Sequence, residues 1–393
     1  MAKRSEEQPT DARINTPIPS AGAKSAADLR SHAAWPKMSS SFLAACKKRA
    51  ADAGDAGGGK RAADGLAGAM AGLSLAGGAG LLDEPAFWSK EGGAPLLRRN
   101  GGFLTAGSGV AAELRARISK WPALCGADAS AAESGEGCED EAALRIFLRD
   151  AERTFMDEGH RTRMIALLKR VWPENRDYHQ GLGYVSSLLM LLFDADTTAR
   201  ILLRLTREER YTPGYWRAAP EPYVRDAMVY ARLVAERYPA VDALLTSACV
   251  VPESYASKWF IGLCVHVLPY AALFDFVEAF LAEGHIFLFK FALALVGATS
   301  EKLLACKPTD VNLIFEILRL DIVQYPDDFE GGAFFTKIVA DAKAVALDPA
   351  HLAKLRAEEG EKLEEKMRKT REREAAMAAE SDDEIVFSDE EDD

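Results

Sequence analysis

Cysteine and histidine each occur only six times in 393 residues. Cys46, Cys125, Cys138, Cys249, Cys264 and Cys306 are scattered and form no C-x-x-C pair, which argues against a disulfide framework and the common zinc spacings. They read as free thiols in a reducing compartment. No H-E-x-x-H pair is present, so a hydrolytic metal site has no support. Basic residues are also in short supply, 48 against 60 acidic, for a formal charge of −12. Broad nucleic-acid binding needs a concentrated basic surface, and this balance argues against it. A charge-free apolar run of about 18 residues is absent too. The most hydrophobic region, 259–296, is interrupted by His266, Pro269, Asp275, Glu278, Glu283 and Lys290, so no membrane-inserted segment is expected. The N-terminus lacks the apolar core of a secretory signal, and a cytoplasmic protein is expected.

What is present falls into four zones. Residues 51–80 hold ten Ala and ten Gly in thirty positions, too little apolar surface to offset chain entropy, so 1–95 is expected to be mostly disordered. From 114 to 345 the texture changes to apolar residues at helical spacing, and 96–348 reads as one all-α domain. Met164, Ile165, Leu167, Leu168, Val171 and Trp172 make one apolar face. Residues 182–193 are apolar nearly all round, which places that helix at the centre. Further helices are expected at 224–238, 256–268, 271–282, 286–296, 311–320 and 334–345. Residues 349–379 interleave Lys, Arg and Glu with sparse Leu355, Leu363 and Met367, the pattern of a solvated helix or weak coiled coil. Residues 380–393 carry nine acidic groups and no basic one, an acidic disordered tail. Without that tail the chain is close to neutral, at 48 basic and 51 acidic side chains.

Several stretches imitate catalytic motifs. Gly54 to Lys60 match the first seven positions of a phosphate-binding loop, but Arg61 stands where the magnesium hydroxyl belongs and no strand precedes it. Gly107-Ser108-Gly109 lacks the rest of a nucleophile elbow. Cys264 and His266 share an apolar segment, where a buried thiol and a core imidazole are the ordinary reading. Two stretches carry more. In Phe147-Leu148-Arg149-Asp150-Ala151-Glu152-Arg153, a helix puts Asp150 and Arg153 on one face, where the carboxylate can orient the guanidinium. In Arg176-Asp177-Tyr178-His179-Gln180-Gly181, turn-forming residues lead into the most apolar helix and set Gln180 at its mouth, a rigid place from which to aim a side chain. Taken singly, each also reads as a surface ion pair or a helix-start amide.

Together and in this order, the two stretches resemble the I-x-x-D-x-x-R and Y-x-Q motifs of the TBC domain, the helical GTPase-activating domain acting on Rab-type GTPases. Phe147, Asp150 and Arg153 match the first, and Tyr178 and Gln180 the second. Arg117 and Trp121 loosely match a further R-x-x-x-W segment, and Lys258-Trp259-Phe260, Leu268-Pro269 and Phe280-Leu281-Ala282-Glu283-Gly284 follow the family order. The chain departs from the pattern at Phe147 for Ile, at Asp177 for Gly, at Val277-Glu278 for Trp-Asp, and in a shorter interval between Arg153 and Gln180.

The resemblance implies an activator of a GTP-bound Rab-family GTPase, with a role in vesicle trafficking and no independent enzymatic activity. Arg153 would act as an arginine finger and Gln180 as a glutamine finger, with Asp150 and Tyr178 in support. No cofactor is implied, since GTP and magnesium belong to the partner, and any residence on endomembranes would be peripheral and through that partner. The alternative is a helical scaffold that binds a small GTPase without stimulating hydrolysis.

Overall fold

The structure is a computed structural model that describes residues 80–84, 87–88, 112–127, 137–325 and 333–382. The expectations of an acidic disordered tail from 383 onward, of disorder in 1–79, and the two motif look-alikes at 54–60 and 107–109 lie outside the described residues.

Fourteen helices and three short 3-10 turns are present among the described residues, with no strand. Two short helices, α1 (Ala112–Ile118) and α2 (Trp121–Leu124), lead into α3 (Glu141–Thr154), α4 (Glu158–Asn175), α5 (Gln180–Leu192) and α6 (Ala195–Arg207). Carboxylates set three of these starts. Asp140 accepts from the Ala142 and Ala143 amides at 2.8 and 3.0 Å, Asp157 from His160 at 3.1 Å, and Asp194 from Thr197 at 2.9 Å. Each such cap contributes about 1 kcal/mol by satisfying amides that a helix start leaves orphaned. As its all-round apolar sequence requires, α5 is central: Leu182, Val185, Leu188, Leu189 and Leu191 are buried, and it packs on α3, α4 and α6.

The second half comprises α7 (Glu221–Arg237), α8 (Pro239–Ser247), α9 (Ser257–Phe260), α10 (Tyr270–Glu283), α11 (His285–Leu304), α12 (Val311–Leu318) and α13 (Phe334–Ala344). The long apolar α11 is its axis, touching α7, α8, α9, α10, α12 and α13. Trp121, fully buried, joins the halves by packing its ring 6.2 Å from Phe193 and 5.6 Å from Phe274.

Three expectations change. The helix expected over 256–268 stops at Phe260, because Leu263 and Cys264 take left-handed φ of 43° and 59°. The apolar run there is buried by a tight turn, which periodicity alone cannot tell from a helix. Within the zone expected to be mostly disordered, Leu81, Leu82 and Phe87 are buried in the core. The charged helix α14 (Pro349–Asp382) is not wholly solvated: Leu352, Leu355, Glu359 and Leu363 are buried as its first half lies along α7. Residues 371–377 of α14 are exposed.

Candidate functional site

Four turns of α3 end at the site. Its inward face buries Ala143, Phe147, Asp150 and Ala151, and the next turn outward leaves the Arg153 side chain 66% exposed. Asp150 is 5% exposed, and its two oxygens are divided between partners. The Tyr178 hydroxyl donates to Oδ2 at 2.7 Å, and Arg153 Nη1 stands 3.5 Å from Oδ1. Burial raises the Asp150 carboxyl, while the Tyr178 hydrogen bond and the Arg153 charge pull it back toward the ionised form. Desolvation, followed by the Asp150 carboxylate, pushes the Tyr178 hydroxyl well up, so it remains a donor. The Phe147 ring meets Tyr178 edge-on at 5.1 Å and Trp172 at 5.7 Å, pairs worth about 0.5–1.5 kcal/mol each beyond their area. Phe147 therefore serves as more than an apolar substitute for isoleucine.

The second stretch begins where α4 stops. Arg176 takes the left-handed conformation, φ 47°, and its amide bonds back to the Trp172 carbonyl at 2.8 Å. Asp177 then accepts from the Tyr178 amide at 2.8 Å and, with its other oxygen, from the Ala218 amide at 2.9 Å. A glycine there could not make this bridge to the 208–220 loop. His179 caps α5, with Nδ1 accepting from the Gly181 amide at 3.0 Å. Gln180 is the first residue of α5 and is partly exposed. Tyr178, Asp150 and Arg153 thus form one contiguous polar set, and Gln180 lies two residues along the chain from Tyr178.

Two residues that the motif reading passed over set how closely α5 approaches. A Cβ at Gly181 would lie 2.5 Å from Ile261 Cγ2 and 2.8 Å from the Ile261 carbonyl oxygen. One at Gly183 would lie 2.6 Å from the Tyr178 hydroxyl. The signal in the sequence is the spacing Gln180-Gly181-Leu182-Gly183 at the start of an otherwise bulky helix. Tyr184 was also missed. Its ring sits edge-on to His266 at 4.0 Å, and burial, with the nearby Asp150 charge, raises its hydroxyl to about 12, against the opposing pull of Arg153. Cys264 is fully buried, and burial pushes its thiol far up, as an inert core cysteine requires. Among the described residues no cluster of three or more His, Cys, Asp or Glu could hold a metal ion.

The looser motifs also have structural roles. Arg117 on α1 forms hydrogen-bonded ion pairs with Asp275 and Glu278 on α10. The acidic residue at the departure Val277-Glu278 is therefore a partner of Arg117. In Lys258-Trp259-Phe260 the two aromatics are buried, and Lys258 reaches Asp321 at 3.4 Å.

Residues 114–304 match the family described as the Rab-GTPase-TBC domain. Carabin of Mus musculus is 28% identical over 218 residues, 50% of this chain and 48% of that protein. Growth hormone-regulated TBC protein 1 of Mus musculus is 26% identical over 303 residues, 66% of this chain and 81% of that protein. The solved Chlamydomonas flagellar RabGAP TBC domain aligns with 17% identity and a TM-score of 0.41 over 64% of this chain and 80% of that one. The chain spans about half or less of the length of the first curated relatives it matches. Residues 114–304, just under half of the chain, thus carry the match to the Rab-GTPase-TBC domain family.

Proposed function

We propose that the chain is a GTPase-activating protein for a Rab-family small GTPase, with Arg153 as an arginine finger and Gln180 as a glutamine finger. The reading rests on one observation above the others: a buried carboxylate, Asp150, pinned by Tyr178 on one oxygen, presents its other oxygen to an exposed guanidinium. An exposed arginine on a helix ordinarily has many rotamers. Arg153 has a buried carboxylate 3.5 Å from one guanidinium nitrogen and an open face toward solvent, as a group that must enter another protein's active site requires.

Hydrolysis of GTP spreads negative charge over the transferring phosphoryl group, so a planar cation delivered to those oxygens lowers the barrier. Gln180, on the rigid first turn of α5, orients the attacking water. Asp150 and Tyr178 touch neither substrate nor water and act as positioning residues. GTP and its magnesium ion are held by the partner, which must be in its GTP-bound form. Among the described residues no helix is long and apolar enough to cross a membrane. We take the chain to act in the cytoplasm and to meet endomembranes peripherally, through its partner, in vesicle trafficking.

Phosphate release from a panel of GTP-loaded Rab proteins with the full chain tests the proposal. An arginine finger in trans is worth roughly 10³–10⁵ in rate, about 4–7 kcal/mol of barrier. Arg153→Ala and Gln180→Ala should each remove orders of magnitude of stimulation while far-UV circular dichroism is unchanged. Arg153→Lys should not restore activity, since an ammonium lacks the planar fork. Inactivity of the wild type across a broad panel, with retained binding, would instead leave a GTPase-binding scaffold.

A further inference from the structure

Outside the matched 114–304 segment, α14 carries a side chain whose contacts lead back toward the glutamine finger. Arg356 is 15% exposed and grips Asp226 on α7 with two nitrogens, Nε to Oδ1 at 3.0 Å and Nη2 to Oδ2 at 3.1 Å. Asp226 is fully buried, and it also accepts from Arg225 at 2.7 Å and from the Tyr215 hydroxyl at 2.5 Å. The third guanidinium nitrogen, Nη1, lies 2.8 Å from His285 Nε2, and His285 Nδ1 lies 2.9 Å from the Arg210 carbonyl oxygen. One assignment satisfies every atom: Nδ1 carries the proton and donates to Arg210, and Nε2 accepts from Arg356. Arg356 thereby holds the 208–220 loop at two places, Tyr215 through Asp226 and Arg210 through His285.

The same loop reaches the chain on both sides of Gln180. Trp216 Nε1 donates to the Ile261 carbonyl at 3.0 Å, and Ile261 is the residue against which Gly181 is pressed. The Ala218 amide donates to Asp177, whose other oxygen holds the Tyr178 amide. Tyr215, Trp216 and Ala218 span four positions, so a shift of the loop at Tyr215 is felt at Ile261 and Asp177 together.

We propose that Arg356 is a positioning residue for the glutamine finger, acting through Asp226, Tyr215 and the 208–220 loop on the first turn of α5. The inference rests on the proposed activator function for its kinetic consequence, and on geometry alone for its structural one. A merely structural Arg356 would anchor α14 and leave the Gln180 turn untouched.

Two readouts on the full chain separate these cases, with Arg356→Ala and the milder Tyr215→Phe, which deletes a hydroxyl and keeps the ring. The first is amide hydrogen exchange of the free protein. Both variants should speed exchange at Tyr178 and Gly181 while the amides of α3 keep their protection. The second is stimulated hydrolysis with a Rab that the wild type activates. The kcat should fall by about tenfold to a hundredfold, the scale at which small misplacements act, with KM within about twofold. In a Gln180→Ala background neither variant should lower kcat further, because the group being positioned is gone. Unchanged exchange at Tyr178 and Gly181 overturns the proposal whatever the activity, as does a kcat loss of equal size with and without Gln180. Altered exchange in a protein that activates no Rab supports the positioning link and refutes the activator function instead.

Discussion

Gly183 shows how little space surrounds the Asp150 pair. A methyl group there would stand 2.6 Å from the Tyr178 hydroxyl and 3.7 Å from Asp150 Oδ2. Gly183→Ala must therefore push the hydroxyl off the carboxylate, although alanine favours helix by about 1 kcal/mol. Loss of a hydrogen bond to a buried charge costs about 1.5–3 kcal/mol, so the steric effect wins and thermal unfolding should occur earlier. Tyr178→Phe removes the same bond without the clash. Burial raises the Asp150 carboxyl and Tyr178 is the largest opposing influence, so the variant's carboxyl should rise further. The neutral acid holds Arg153 poorly, so the acid limb of stimulated hydrolysis should move to higher pH in Tyr178→Phe than in wild type. A pH profile of kcat with a matched Rab measures this, and coincident acid limbs would refute it. The Asp150 and Arg153 pairing was legible in the sequence because one helical turn dictates it. Gly183 was not, because its constraint comes from a tyrosine on the preceding turn whose rotamer no periodicity encodes.

At the scale of elements, legibility followed the source of the order. The central position of α5 could be read from a helix with no polar face. The break at Phe260 could not, since it depends on left-handed Leu263 and Cys264 and on the Ile261 carbonyl receiving the Trp216 indole. The docking of α14 was hidden by its charge. Leu352, Leu355, Glu359 and Leu363 recur at helical spacing, but the decisive contacts are Arg356 with Asp226 and Arg232 with Glu358 and Glu359. That network makes docking pH-sensitive through His285. Desolvation, then the Arg356 charge, lowers its imidazole below the usual value of about 6.5, while Asp226 opposes and Arg225 adds to the fall. Above that value the imidazole is neutral in both folded and unfolded chains, and the network has full strength. As pH falls below it, the unfolded chain takes up the proton first, so stability declines until the lower folded value is passed. Unfolding temperatures measured between pH 7.5 and 5 should therefore drop more steeply for wild type than for His285→Gln, and parallel curves would contradict the assignment.

For the whole molecule, the docked helix decides where the folding unit ends. A boundary at 348, which composition suggests, removes Leu352, Leu355 and Leu363, each worth about 1.5–3 kcal/mol when buried. It also leaves Asp226, fully buried, without the bidentate Arg356. Breaking a buried pair from one side costs about 3–5 kcal/mol, and Arg225 with Tyr215 offsets only part of it. The combined loss is comparable to the entire net stability of a domain, about 5–15 kcal/mol. Residues 371–377 contribute nothing of this kind, being exposed. Two truncations of the chain should therefore behave in opposite ways. Ending it after Asp348 should lower the unfolding temperature by more than about 10 °C or prevent soluble expression, whereas ending it after Thr370 should change it by about 2 °C at most. Calorimetry on the pair distinguishes a docked structural helix from an appended solvated one, for which the two truncations would melt alike.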